Sequence, residues 1–80
     1  MIRVLAFAGA RDAIGRDALE LAIDAPITAR GLLDRLLREH AALAPYASSL
    51  RLAVNGSYAG WDDLVRDGDE VAILPPVAGG

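Results

Sequence analysis

Two adjacent prolines, Pro75-Pro76, follow the short apolar run Val71-Ala72-Ile73-Leu74 and fix where the last strand of this chain must end. Neither proline has an N–H to give to a sheet ladder, so a strand running from Val71 stops at about Leu74. Asp67-Gly68 introduces the run, and glycine there supplies the positive φ that many tight turns need. Beyond the prolines come Val77, Ala78 and the closing pair Gly79-Gly80. The order is turn, final strand, stiff exit and slender tip, which divides the chain into a domain over 1–74 and a flexible tail over 75–80. At ~3.3–3.6 Å per residue the tail spans roughly 20 Å. Glycine has no Cβ, takes almost any φ/ψ and presents almost no width. Such a tip suits a narrow channel, where it would place its terminal carboxylate at another protein's reactive centre. The plain alternative is a frayed, tolerated terminus.

Upstream, Met1 to Phe7 alternates as a strand, with Ile2, Val4 and Ala6 on one face and Arg3, Leu5 and Phe7 on the other. Gly9 and Gly15 bracket what reads as a turn around Arg11-Asp12. Ala18 to Ile23 alternates again, so the two runs predict an N-terminal β-hairpin. Thr28 is placed to cap a helix whose apolar stripe is Ala29, Leu32, Leu33, Leu36 and Leu37. Asp34 and Arg38 are spaced as an i,i+4 ion pair on its wet side. Gly31 costs that helix about 1 kcal/mol relative to Ala, with no compensation visible in the sequence. Pro45 sits in the loop that follows. Leu50, Leu52 and Val54 alternate with Arg51, Ala53 and Asn55 into a strand closed by the Asn55-Gly56 turn. Ser57 to Leu64 reads as a short strand or an irregular passage. One helix covers one face of such a sheet, which makes the fold α+β.

The bulk numbers exclude more than they specify. A single domain of 80 residues buries only about 60% of its unfolded surface and needs nearly all its apolar residues for one core. A deep private pocket is not expected, and function belongs on a surface or at a terminus. A net charge of −3 with arginines scattered among acids offers no basic patch for nucleic acid. No stretch reads as a secretory signal or a membrane span, so a cytoplasmic protein is expected. With 0 cysteines there is no disulfide, zinc-thiolate site or thiol nucleophile. All 8 basic residues are arginine. Compositional bias accounts for that, although a chain bearing an activated carboxyl would also have no lysine of its own to acylate.

Few side chains offer chemistry. His40 falls at the helix end, where a cation offsets the dipole, and has no nucleophile beside it in a motif. Asp62-Asp63 and Asp67/Asp69/Glu70 lack metal-loop spacing and read as turn-forming, solvated acids; no metal site is expected. Tyr58 and Trp61 read as half-buried edge aromatics. The remaining unusual group is the carboxylate of Gly80.

Three stretches carry a family resemblance. The end of the chain, Asp67-Gly68-Asp69-Glu70-Val71-Ala72 through Pro75-Pro76-Val77-Ala78-Gly79-Gly80, resembles that of the molybdopterin synthase small subunits, ubiquitin-like sulfur carriers. Phe7-Ala8-Gly9-Ala10-Arg11-Asp12-Ala13-Ile14-Gly15 is similar to that family's first turn, with Asp12 where Glu is commoner, and Ala53-Val54-Asn55-Gly56 to its third strand. The resemblance implies a β-grasp fold, a mixed sheet with one main helix on one face. It implies that an E1-like enzyme adenylates Gly80 with ATP and that a sulfurtransferase supplies sulfur to make a thiocarboxylate. The tail, Pro75, Pro76, Val77 and Gly79 included, would then enter the large synthase subunit, in a heterotetramer. There it would deliver sulfur to cyclic pyranopterin monophosphate, forming the dithiolene of molybdopterin. The catalytic side chains would be the partners', and this chain would bind no cofactor.

Alternation puts Phe7 and Leu74 outward on the sheet face that the helix leaves open. The resemblance implies that Phe7, Tyr58 and Leu74 contact the large subunit there, with Arg11 as a nearby polar contact. The competing reading has Phe7 completing a minor core under the loops. Other functions compatible with a Gly-Gly end are a thiamine-pathway sulfur carrier, a ubiquitin-like protein modifier and a non-catalytic β-grasp interaction module.

Overall fold

Alternation along the first strand decides the sides of the whole sheet. In the computed structural model, which describes residues 1–74, β1 (Ile2–Ala6) buries Ile2, Val4 and Ala6 and turns Arg3 and Leu5 outward. The expected tail, with Pro75, Pro76, Val77, Gly79 and Gly80, lies outside the described residues. The other strands are β2 (Ala18–Leu21), β3 (Ile27–Thr28), β4 (Arg51–Val54), β5 (Ser57–Tyr58), β6 (Leu64–Val65) and β7 (Glu70–Leu74). They form a five-stranded sheet in the order β2-β1-β7-β4-β5 and a two-stranded sheet of β3 with β6. At the centre β1 and β7 run parallel, Val4 opposite Val71 and Ala6 opposite Ile73, while the other pairs are antiparallel. The result is the expected mixed β-grasp sheet.

The main helix, α2 (Ala29–Glu39), starts where Thr28 Oγ1 accepts the Gly31 N–H at 3.0 Å, as the capping pattern requires. It buries Ala29, Leu32, Leu33 and Leu36 against Val4, Leu52, Val71 and Ile73 in one core, and Leu37 packs at the margin. Arg30 donates its backbone N–H to the Trp61 carbonyl at 3.1 Å and sets its guanidinium 5.1 Å from the Trp61 ring centre. Trp61 is accordingly a half-buried prop at the helix start.

Three sequence expectations change. The connection after β1 is no simple turn; it holds a second helix, α1 (Ala8–Ile14), ended by Gly15 at φ 86. Buried Ala10 ties that short helix to the core, a tertiary contact that no local pattern announces. The α2 ion pair is Arg35–Glu39 at 2.9 Å, itself at i,i+4 spacing, rather than Asp34–Arg38, and Arg35 also donates to the Ala22 carbonyl at 2.8 Å. Pro45 lies inside a 3-10 turn over Ala41–Tyr46. His40 is the C-cap of α2, donating its backbone N–H to the Leu36 carbonyl at 2.8 Å.

Gly31 also acquires a reason. A Cβ there would sit 3.1 Å from both Ile27 Cγ1 and Thr28 Oγ1. Gly31→Ala should therefore fail to deliver the ~1 kcal/mol that helix propensity offers and leave stability at or below wild type. A urea-unfolding gain near that value would show that the cap relaxes freely.

The Asn55-Gly56 turn forms as expected, with both residues at positive φ, and Asn55 does more than turn the chain. Its amide donates to Asp69 Oδ1 at 3.0 Å, and its carbonyl oxygen accepts the Glu70 N–H at 3.0 Å. The Arg66 backbone N–H and then Asn55 hold the Asp69 carboxyl below its ordinary 3.8. A lowered folded-state value means this contribution is present above about pH 4 and is lost as pH falls through the folded value. Asn55→Gly keeps the positive φ but removes both side-chain bonds, and should lower stability at pH 7. The difference from wild type should shrink in acid unfolding scans; a pH-independent difference would remove Asp69 from the account.

Candidate functional site: the open sheet face and the tail exit

With α2 covering one side of the sheet, the outward residues of five strands make the other. Cross-strand register sets Leu5 opposite both Ala18 and Ala72, and Ala53 opposite both Ala72 and Tyr58. An unbroken row, Ala18-Leu5-Ala72-Ala53-Tyr58, therefore crosses the open face. At ~4.8 Å per strand step it runs roughly 19 Å. Toward the start of β7 the next row is charged, with Arg3 opposite Glu20 and Glu70. Toward the end of β7 lie Leu74, opposite Arg51, and Phe7, one residue beyond the Ala6–Ile73 pair. The face is thus apolar at the end where the chain leaves for the tail and ionic at the other.

Phe7 is 47% exposed and Tyr58 71% exposed. Phe7 therefore completes no minor core, and Tyr58 is freer than the half-buried edge aromatic expected of it. Leu74 corrects the opposite way: it is half-buried, held between β1 and β4 on a central strand. Phe7 and Leu74 are brought together by the parallel register; Tyr58 shares their face at the β5 edge. Arg11 lies one turn into α1, its backbone N–H donating to the Phe7 carbonyl at 3.3 Å and its guanidinium pairing with Asp17 at 3.3 Å. Among the described residues no cluster of three or more His, Cys, Asp or Glu is placed to hold a metal. No helix among them is long and apolar enough to cross a membrane.

Sequence reasoning missed Arg51 and Ala53. Their outward parity in β4 was readable, but which strand β4 would join was not, so their place beside Leu74 and Ala72 could not be assigned. The face can present an apolar strip with a cation at the tail end, complementary to an apolar partner surface with an acidic rim. It carries no nucleophile or acid–base pair of its own.

Comparison with known proteins gives a consistent picture. The ThiS family profile matches residues 4–80. The molybdopterin synthase sulfur carrier subunit of Escherichia coli is 41% identical, with all of both chains covered. The protein of the same name from Arabidopsis thaliana is 37% identical over 99% of this chain and 82% of its own length. Among solved structures, SAMP1 from Haloferax volcanii superposes with a TM-score of 0.83 at 26% identity, covering 99% of this chain and 98% of that one. On the strength of a match over residues 4–80, the chain belongs to the ThiS family.

Proposed function

We propose that this chain is a sulfur carrier, the small subunit of a molybdopterin synthase, and that Gly80 carries the sulfur. What supports the reading above all is the apolar strip on the open face, which leads to Leu74 at the point where the chain continues toward Gly79-Gly80. Identity of 41% and 37%, over 100% and 99% of this chain, to relatives named for that role supports the same reading.

A carboxylate is a poor acyl donor because its oxygen is a bad leaving group. An E1-like partner would transfer AMP from ATP to the Gly80 carboxylate, releasing pyrophosphate. The terminal sulfur of a sulfurtransferase persulfide would then attack the carbonyl carbon and expel AMP, and a thiol would cleave the resulting acyl disulfide, releasing the thiocarboxylate and leaving a disulfide. In the large synthase subunit that thiocarboxylate would pass its sulfur to cyclic pyranopterin monophosphate, and the Gly80 carboxylate would be regenerated by water. This chain's part is to dock through Phe7, Tyr58 and Leu74, with Arg11 and Arg51 at the rim, and to extend Pro75, Pro76, Val77 and Gly79 into the partner's channel.

A second reading, a protein modifier joined through Gly80 to lysines of other proteins, draws on a structural neighbour at 28% identity, the small archaeal modifier protein 1 of Methanosarcina acetivorans. Intact mass after incubation with the adenylating enzyme, ATP and a sulfur source separates the two. Exchange of one oxygen for sulfur marks the carrier, and covalent adducts on other proteins mark the modifier. Deleting Gly80 should abolish either product while unfolding stays within ~0.5 kcal/mol of wild type. A large loss of stability would make the tail structural instead.

Phe7→Ala should weaken binding to the large subunit by about 2 kcal/mol, as expected of an anchoring aromatic, with little effect on folding. A stability loss of ~3–5 kcal/mol, as for a buried Phe, with unchanged affinity would move the docking surface elsewhere.

A further inference from the structure

Backbone conformation at the joint between β1 and α1 is unusual. Among the described residues, positive φ occurs at Gly15, Gly56 and Gly68, at Asn55, and at Ala8, where φ is 49. Glycine adopts this region without cost and asparagine tolerates it, whereas an alanine there is strained. Nothing in the core asks for an alanine, since Ala8 is exposed. Its neighbour is Phe7, the most exposed aromatic at the tail end of the open face.

We infer that Ala8 is a positioning residue: its left-handed backbone turns α1 toward the core side and leaves Phe7 fixed and uncovered for docking. This inference rests on the reading of the open face as the docking surface. Phe7 keeps extended backbone, φ −130 and ψ 153, so its side chain continues the alternation of Arg3 and Leu5 on that face. The chain reverses at the next residue. The Phe7 carbonyl accepts the N–H groups of Ala10 at 3.1 Å and Arg11 at 3.3 Å, and Ala10 is only 1% exposed. At Gly9 a Cβ would already stand 3.4 Å from the Tyr46 ring, so α1 also packs closely against that ring. These contacts over-determine the joint, the condition under which a strained φ persists. Alanine has one small left-handed basin, whereas glycine has broad freedom on both sides of φ = 0. Alanine therefore gives a stiffer hinge beside Phe7 than glycine would, so less side-chain and hinge freedom remains to be lost on binding.

Two replacements separate strain from stiffness. Ala8→Gly relieves the strain and loosens the joint; D-alanine at position 8, introduced by chemical synthesis, relieves it while keeping φ positive. Melting temperature and Kd for the large subunit are measured for both, beside wild type and Phe7→Ala. The expected result is a melting temperature at or above wild type for both replacements. Affinity should weaken about fivefold for Ala8→Gly and stay unchanged for D-alanine. Undiminished affinity in Ala8→Gly, equal weakening by D-alanine, or a lower melting temperature in either would overturn the inference. Should Phe7→Ala bind as tightly as wild type, the docking reading itself falls, and the positioning role with it. If Phe7→Ala weakens binding and Ala8→Gly does not, only the positioning role falls.

Discussion

The parallel pairing of β1 with β7 is the contact on which the rest of the molecule depends. It joins the two ends of the described chain at the centre of the sheet, from Arg3 opposite Glu70 to Ala6 opposite Ile73. Parallel neighbours cannot be linked by a tight turn, so nearly everything between them serves as one crossover. Closing so long a loop is entropically costly, although that cost grows only slowly with length. What offsets it is burial: Ile2, Val4, Val71 and Ile73 are each 1% exposed or less. The same pairing has a functional consequence. Because the strands run in one direction, β1 ends where β7 ends, and Phe7 stands beside Leu74 where the chain leaves for Pro75. An antiparallel arrangement would have put Phe7 at the opposite end of the sheet.

In so small a domain one helix protects one face, and the apolar supply is committed there. All buried residues of the described chain are apolar, drawn from α1, α2, the 3-10 turn, the inward positions of the strands and Leu50 just before β4. The row that crosses the other face consists mostly of short side chains, Ala18, Ala53 and Ala72, with Leu5 among them. A flat alanine-rich strip loses little by exposure to water and still packs closely against a partner. The large exposed groups, Phe7 and Tyr58, stand at two corners of it. This division of labour fits the sulfur-carrier reading: anchors at the margins, a smooth floor between them, and Arg51 beside the exit.

Local chemistry in the sequence carried a good part of this. Thr28 as cap, Asn55-Gly56 and Asp67-Gly68 as turns, and the inward parity of Ile2, Val4, Val71 and Ile73 all depend on spacing of two to four residues, and all appear in the structure. What stayed hidden depends on distant partners. The helix α1 is too short to be stable alone and exists because Ala10 reaches the core. Arg35 and Glu39 share the i,i+4 spacing that Asp34 and Arg38 also have, and what the sequence could not show is that Arg35 reaches the Ala22 carbonyl as well. Leu74 looked exposed from parity alone; the flanking strands β1 and β4 half-cover it. Phe7 was recognised as outward, but Ala8, which frees it, carries no sequence signal, because alanine at positive φ looks like any alanine.

The core's chemistry explains why a carrier of this kind keeps its reactive group outside the domain. Among the described residues no polar or charged side chain is buried, and the chain has 0 cysteines. Activating a carboxylate or a sulfur nucleophile inside a protein takes buried, oriented polar groups that shift pKa values and hold charge away from water. A sheet with one covered face and an alanine floor on the other has no place to build them. On the sulfur-carrier reading proposed above, the domain would act as a rigid handle, and reactivity would come from enclosing Gly80 in a site made by others. That requirement also accounts for the double proline. A stiff exit at Pro75-Pro76 would transmit the docked orientation of the sheet to the tail, so that binding the handle also aims the carboxylate.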